Sequence, residues 1–289
     1  MNLARRMLLV SLIALGWIPS QIHTLQAQSA EAGWAGSVGV LAGANPSAVG
    51  LRSSIFYTAP LYQERSGILF DPARVEIGPD VSVNPSFSNL GLRLYVEPIA
   101  FADVTIRTGL RSFYDSLGFG LVELEGYGDS LPSVVGGETD GRSATGWYLS
   151  IAPRLKAAAG PVLVTNTFAA TFSDLSGSNV EFYEEPFTVS AVAARDWVFE
   201  NTTNLLYQFQ AQKYPFLALG LEYYLAWVPA DGAAQDIGQR VSTVGVATRQ
   251  ISETLSLNIA GVIGVYPSET PFSIDQPYAI VVVDAVVSW

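Results

Sequence analysis

The sequence predicts an all-β fold, a closed antiparallel transmembrane up-and-down β-barrel of about twelve strands, with ten or fourteen as alternative counts. Three observations predict it. Hydrophobic residues make up 49% of the chain and charged ones only 14%, against about 25% charged in an average soluble domain. Past residue 30 no apolar run is long enough to cross a bilayer as a helix, which takes about 20 residues. What recurs instead is period-two alternation in segments of about 10 residues, closed off by Gly, Pro, Asn, Asp or Ser.

The N-terminus stands apart from this pattern. Arg5 and Arg6 precede an apolar run from Met7 to Ile18, and the small-residue sites Ala27-Gln28-Ser29 and Ala30-Glu31-Ala32 follow. That order is that of a secretory signal peptide, too short to remain as a spanning helix. The expected division is a cleaved signal over 1–29 and a barrel domain over 30–289. The only histidine, His23, falls in the leader. The remainder carries 13 basic residues against 26 acidic ones, a balance that argues against nucleic acid, whose phosphates need a basic footprint. The chain has no cysteine, so disulfides and thiolate metal sites are excluded.

Two strands are expected near 34–42 and 66–77, with a third over 50–60 between them. Leu90, Leu92, Leu94 and Val96 then alternate with Asn89, Gly91, Arg93, Tyr95 and Glu97. Val104, Ile106, Thr108 and Leu110 alternate with Asp103, Thr105, Arg107, Gly109 and Arg111. Trp147, Leu149, Ile151 and Leu155 oppose Tyr148, Ser150, Ala152 and Arg154. Segments 161–172 and 200–211 fit less well, because Asn166 sits on the apolar face; 184–197 reads as a strand or as part of a folded loop. Leu217 to Trp227 places Leu217, Leu219, Leu221 and Tyr223 opposite Ala218, Gly220, Glu222 and Tyr224. Ser242, Val244, Val246 and Thr248 are expected outward, with Arg249 on the opposite face. Leu255, Leu257, Ile259 and Ile263 form the outward face of the next strand. Short connectors such as 98–102, 156–160, 212–215 and 250–253 alternate with long ones such as 116–142 and 173–200. Periplasmic turns and external loops produce that sorting. Trp147, Trp197, Trp227, Trp289, Tyr57, Tyr223 and Tyr278 lie near expected strand ends, where interfacial rings gather.

The last thirteen residues, PYAIVVVDAVVSW, end in Trp289, with Val287, Ala285, Val283 and Val281 behind it at period two and Tyr278 near the other end. In this strand the chain resembles the Gram-negative outer-membrane β-barrel proteins, a porin-like class whose final strand ends in an aromatic. It departs from them in placing Val where aromatics are common. The resemblance implies location in the outer membrane, contact with its lipid and lipopolysaccharide, and recognition of Tyr278, Val287 and Trp289 by the barrel-assembly machinery.

Chemistry is sparse. Without a histidine past the leader, Ser-His-Asp catalysis and His-ligated metal are excluded, so no enzyme activity, cofactor or metal is expected. Charge placement says more. On the faces opposite the apolar ones sit Arg52, Arg74, Arg93, Arg107, Arg111, Arg154 and Arg249, with Glu76, Glu97, Asp103, Glu222 and Asp284. Such a lumen would suit a passive channel for small anionic or polar solutes. The alternative is a non-conducting structural or surface-interaction barrel, braced inside by Arg/Glu pairs.

Overall fold

The computed structural model describes residues 32–44, 48–62, 67, 69–70, 72–115, 120–127, 141–185, 190–210, 213–229, 238–266 and 277–289. Its strands are Gly33–Ala44 (β1), Ala48–Pro60 (β2), Arg74–Val83 (β3), Phe87–Ile99 (β4), Ala102–Phe113 (β5), Glu123–Leu124 (β6), Ala144–Ala159 (β7) and Val162–Asp174 (β8). Phe182–Glu185 (β9), Ser190–Ala193 (β10), Arg195–Gln208 (β11), Phe216–Trp227 (β12), Gly238–Gln250 (β13), Leu255–Val265 (β14) and Tyr278–Ser288 (β15) follow. Twelve of these close into one antiparallel barrel in the order β1-β15-β14-β13-β12-β11-β8-β7-β5-β4-β3-β2. The expected fold class is the one observed.

Closure is made by the first and last strands, which pair from Ala35 opposite Ser288 to Ala44 opposite Ala279. Trp289 donates its backbone N–H to Trp34 O at 3.0 Å. A barrel in hydrocarbon must satisfy every backbone group within the sheet, so this seam removes the two edges that an open sheet would expose. An even strand count puts both termini at one end, here called the turn end; the opposite, loop end carries the connections around β6, β9 and β10.

Alternation assigns the two faces. Outward side chains are apolar all round the barrel, and many are half exposed or more: Val38, Leu51, Ile77, Leu92, Leu110, Leu155, Leu221 and Ile263 among them. No soluble surface carries an apolar belt of this extent; hydrocarbon is the medium that suits it. Inward side chains are buried, and they are of two kinds. A charged set lines β2–β7. An apolar set lies inside β11–β15, with Leu206, Phe216, Val244, Val246, Val262, Ile280 and Val282 packed together.

That apolar half of the interior reverses one expectation. Val244 and Val246 face inward at 4% and 3% exposure, so β13 presents Val241, Thr243, Gly245, Ala247 and Arg249 outward. Arg249 is therefore exposed rather than in the lumen. The inference that the more apolar face meets lipid fails where the lumen is itself packed as a core. Three other elements differ from the sequence reading. The strand expected near 66–77 lies at 74–83, after a turn in which Leu61 N bonds Ala73 O and Phe70 N bonds Gly67 O. Segment 184–197 divides between β9, β10 and the start of β11. Tyr278 points inward and is fully buried, so it does not belong to an interfacial girdle.

Proline marks the irregularities. Pro79 and Pro153 lack an N–H, and the β2–β3 and β7–β8 ladders skip the bonds around them. At Pro98 the β4–β5 register shifts by a bulge between Val96 and Ile99. On the inner face Gly91 and Gly109 lie opposite each other, and a Cβ on either would collide with the neighbouring strand's backbone. The two strands approach this closely only because both positions lack side chains. Gly109→Val should cost about 1–3 kcal/mol by overpacking. The temperature at which the folded band converts to the unfolded one on a gel should fall, while Leu110→Val on the lipid face leaves it nearly unchanged.

Candidate functional site

The lumen is the candidate site, and it holds three tiers of charge. At the turn end, Arg74 on β3 lies 2.8 Å from Glu76 and 2.7 Å from Glu97. Arg93 on β4 reaches the other oxygen of Glu76 at 3.0 Å. Arg154 on β7 places Nε and Nη2 at 3.0 and 2.8 Å from Asp103, and Lys156 bridges Asp103 and Glu97. Tyr95 donates its hydroxyl to Glu97 at 2.9 Å and carries the Arg74 and Arg93 guanidiniums over its ring. Period two explains the grouping, since Tyr95 and Glu97 follow each other on one face of β4 while Arg154 and Lys156 do so on β7.

The middle tier lines one side of the barrel, along the arc from β15 through β1 to β5. Arg52 on β2 donates from Nε to Asp284 Oδ1 at 2.9 Å and also pairs with Oδ2. Gly39 on β1 lies between their strands, and a Cβ there would occupy the Asp284 carboxylate's position. Arg107 on β5 faces Asp80 on β3 at 3.4 Å. Arg93 and Arg107 are direct cross-strand neighbours, a like-charge contact that would be unfavourable without Glu76 and Asp80 flanking it.

At the loop end the long connections turn inward. β6, β9 and β10 form a three-stranded sheet, whose Tyr183 and Val192 pack with Leu121, Leu175, Phe87, Phe113, Val198 and Val228 of the wall and loops. Arg111 on β5 meets Glu185 of β9 at 3.1 Å, both side chains buried, and also contacts Asn89 and Ser173. Burial pushes the Tyr183 phenol above its ordinary range, and the neighbouring Glu185 acts in the same direction. Across the lumen Tyr224 donates to Glu200 at 2.6 Å. Arg240 lies 3.7 Å from Glu222 and stacks over Tyr224 and Tyr278.

Of the residues expected in the lumen, Arg52, Arg74, Arg93, Arg107, Arg111, Arg154, Glu97, Glu222 and Asp284 face inward, as do Glu76 and Asp103; Arg249 does not. Seven more inward charges escaped the sequence reading: Asp80, Lys156, Glu184, Glu185, Asp196, Glu200 and Arg240. Lys156 and Arg240 are recoverable by extending the parity of β7 and β13 by one or two residues. Glu185 is not, because it reaches the lumen from a loop. The seven change the balance. Among the described residues eight cations, Arg52, Arg74, Arg93, Arg107, Arg111, Arg154, Lys156 and Arg240, share the interior with ten carboxylates, Glu184 and Asp196 among them. Every cation has a carboxylate within 4.0 Å.

Between the turn end and this network lies a cavity of about 620 Å³, lined by Arg52, Arg93, Arg107, Glu76 and Asp80 on one wall and by Thr248, Ser256, Asn258 and Ser288 on the other. Glu253 and Thr254 of the β13–β14 turn line its mouth. Above it water finds little access, with Asp284, Val282, Val262, Arg111 and Glu222 each at 3% exposure or less.

At the C-terminus, Val287 and Trp289 are exposed at 40% and 65% on the outward face. Tyr278 is buried against Ser242 and Tyr266. Among the described residues no group of three or more His, Cys, Asp or Glu is arranged to hold a metal.

Removing Glu97 should leave Arg74 and Lys156 buried without one of their partners, at a cost of about 3–5 kcal/mol. Glu97→Ala is expected to lower the midpoint of barrel unfolding in urea. Glu97→Gln, which keeps the acceptor for Tyr95, should lower it less.

No protein-family model matches the chain, and no curated protein does. Solved structures do. The chain is similar to the CymD monoaromatic hydrocarbon channel, at 9% identity and TM-score 0.40, over 97% of this chain and 98% of that one. It is also similar to the NanC porin, at 9% identity and TM-score 0.38, over 88% and 98%. With OmpT, an outer membrane protein of Vibrio cholerae, it shares 9% identity at TM-score 0.35, over 92% and 100%. The closed twelve-strand sheet and its apolar exterior make this chain a transmembrane β-barrel.

Proposed function

We propose that the chain is an outer-membrane barrel that holds its lumen shut and does not pass solutes as a standing open pore. The observation that carries this reading is that all eight described lumen cations are paired, with Arg111, Arg154, Lys156 and Arg240 at 10% side-chain exposure or less. An anion-selective pore needs guanidiniums that water and solute can reach, with a net positive field. Here every cation is matched by a carboxylate and no net positive field results, and the sheet of β6, β9 and β10 packs against the wall at the loop end. Such a barrel serves as a scaffold that presents its external loops, and the leader expected over 1–29, which lies outside the described residues, would deliver it to that location.

The cavity at the turn end favours a second reading, a passive channel for small anionic or polar solutes that opens by movement of the loop sheet. Arg52, Arg93 and Arg107 line that cavity and would be its first contacts with an anion. Arg111–Glu185 is then the latch, since it ties β9 to the wall.

Planar-bilayer recording separates the two. The full-length mature barrel is expected to insert without conductance steps, and discrete steps in the unaltered protein would refute the closed scaffold. Glu185→Ala is the companion measurement. Continued silence agrees with a scaffold. Steps that appear in this variant alone, and shrink with Arg93→Ala or Arg107→Ala, identify a gated channel.

A further inference from the structure

The outer surface carries one feature that lipid does not explain. Asn166 of β8 and Asn201 and Thr203 of β11 face outward, on the parity of Val164 and Leu205. Asn166 lies directly opposite Thr203 in the register, with Asn201 on the next outward row. All three fall in the middle third of their strands, where the surrounding medium is hydrocarbon. Asn166 Nδ2 donates to Asn201 Oδ1 at 3.0 Å and to Thr203 Oγ1 at 2.8 Å, and Asn201 Nδ2 donates to Asn166 Oδ1 at 3.3 Å.

These bonds do not use up the group. A carboxamide has two N–H donors and two acceptor lone pairs. Asn166 spends both N–H groups within the triad, whereas Asn201 spends one. An N–H of Asn201 and a lone pair of Asn166 Oδ1 are left over, at a depth where acyl chains offer no partner and an unmet polar group is costly. Sugars and phosphates of lipid headgroups lie at the bilayer surface, too far away to serve.

A second observation marks the same patch. Toward the loop end, outward aromatics on β7, β8, β11 and β12 form a continuous packed platform. Phe168, Phe199 and Trp227 stack at 5.6 to 6.0 Å between ring centroids, Trp197 stacks on Phe199 at 6.2 Å, and Phe172 joins Trp197 at 5.2 Å. Rigid aromatic area beside a small polar cluster is the composition of a protein contact.

We propose that a second copy of this chain docks on this face, about a twofold axis parallel to the membrane normal. The leftover donor and acceptor sit on neighbouring strands of one molecule. A twofold axis brings the Asn201 N–H of each copy to the Asn166 Oδ1 of the other, so the contact is self-complementary. A different partner would have to supply both groups at matching depth, which the same surface already does.

The absence of cysteine makes the test direct. Asn201→Cys gives the chain a single thiol, in the patch. In membranes exposed to a mild oxidant, it is expected to yield a disulfide-linked dimer of folded barrels. Leu225→Cys, opposite Asn201 on β12, should do the same and carries the test if the first variant does not fold. Ile55→Cys, outward on the far side of the barrel, should stay monomeric. Replacing the triad as Asn166→Leu, Asn201→Leu and Thr203→Val should weaken self-association in liposomes about ten-fold while the heat-dependent gel shift of the folded barrel persists. A protein that is monomeric at every protein-to-lipid ratio, crosslinking at Ile55 equal to that at Asn201, or a triad variant that associates unchanged would each overturn the proposal.

Discussion

Everything in this molecule depends on the seam between β1 and β15. A sheet in hydrocarbon cannot leave a row of N–H and C=O groups unpaired, because no water is present to take them. Pairing the first strand with the last satisfies both edges at once. It also fixes which residues can be inside. Once the register of the seam is set, Asp284 must face the lumen opposite Gly39, and Trp289 must point outward beside Trp34. Each further strand inherits its parity from its neighbour, so a slip of one residue anywhere would turn a charged row into the lipid.

How much of this was legible follows from which signals are local. Strand number, closure and most facings were readable because lipid demands alternation, and alternation is visible in a single sequence. Arg93 with Leu92 and Leu94, or Arg107 with Ile106 and Thr108, leaves little choice. β13 was misassigned because both of its faces are moderately apolar, and the deciding fact was an apolar cluster on the inner face of its neighbours β12, β14 and β15. Asp80 escaped because Gly78 and Pro79 break the pattern before it. Glu185 escaped because its partner, Arg111, is 74 residues away and is met by a loop that folds inward. Locality is the common limit.

The missing residues change the meaning of the site as well as its membership. A list of seven arginines and five acids describes a cationic lumen. Lys156 and Arg240 replace Arg249, while Asp80, Glu184, Glu185, Asp196 and Glu200 join the acids, and eight cations then meet ten carboxylates. Buried pairs contribute little net stability, because desolvation offsets much of their attraction. Their consequence is geometric. Each guanidinium is held by a carboxylate on a nearby strand or on the inner sheet, so neighbouring strands of the wall are tied side to side by directional bonds. The apolar cluster of Val244, Val262, Ile280 and Val282 fills the other half by contact alone.

Both departures from the expected pattern, Val inside and Asn outside, therefore follow from one rule. In a membrane barrel a side chain answers to whatever lies against its face, and lipid is only the commonest neighbour. Valines turn inward on β13 because other valines from β14 and β15 cover them there. By the same reasoning Asn166 and Asn201, which no inward element covers, call for a neighbour outside that can accept and donate hydrogen bonds. An apolar interior without solvent and a polar exterior patch without water are equivalent evidence. Each states that another protein surface occupies the space, from within the chain in the first case and from a second chain in the other.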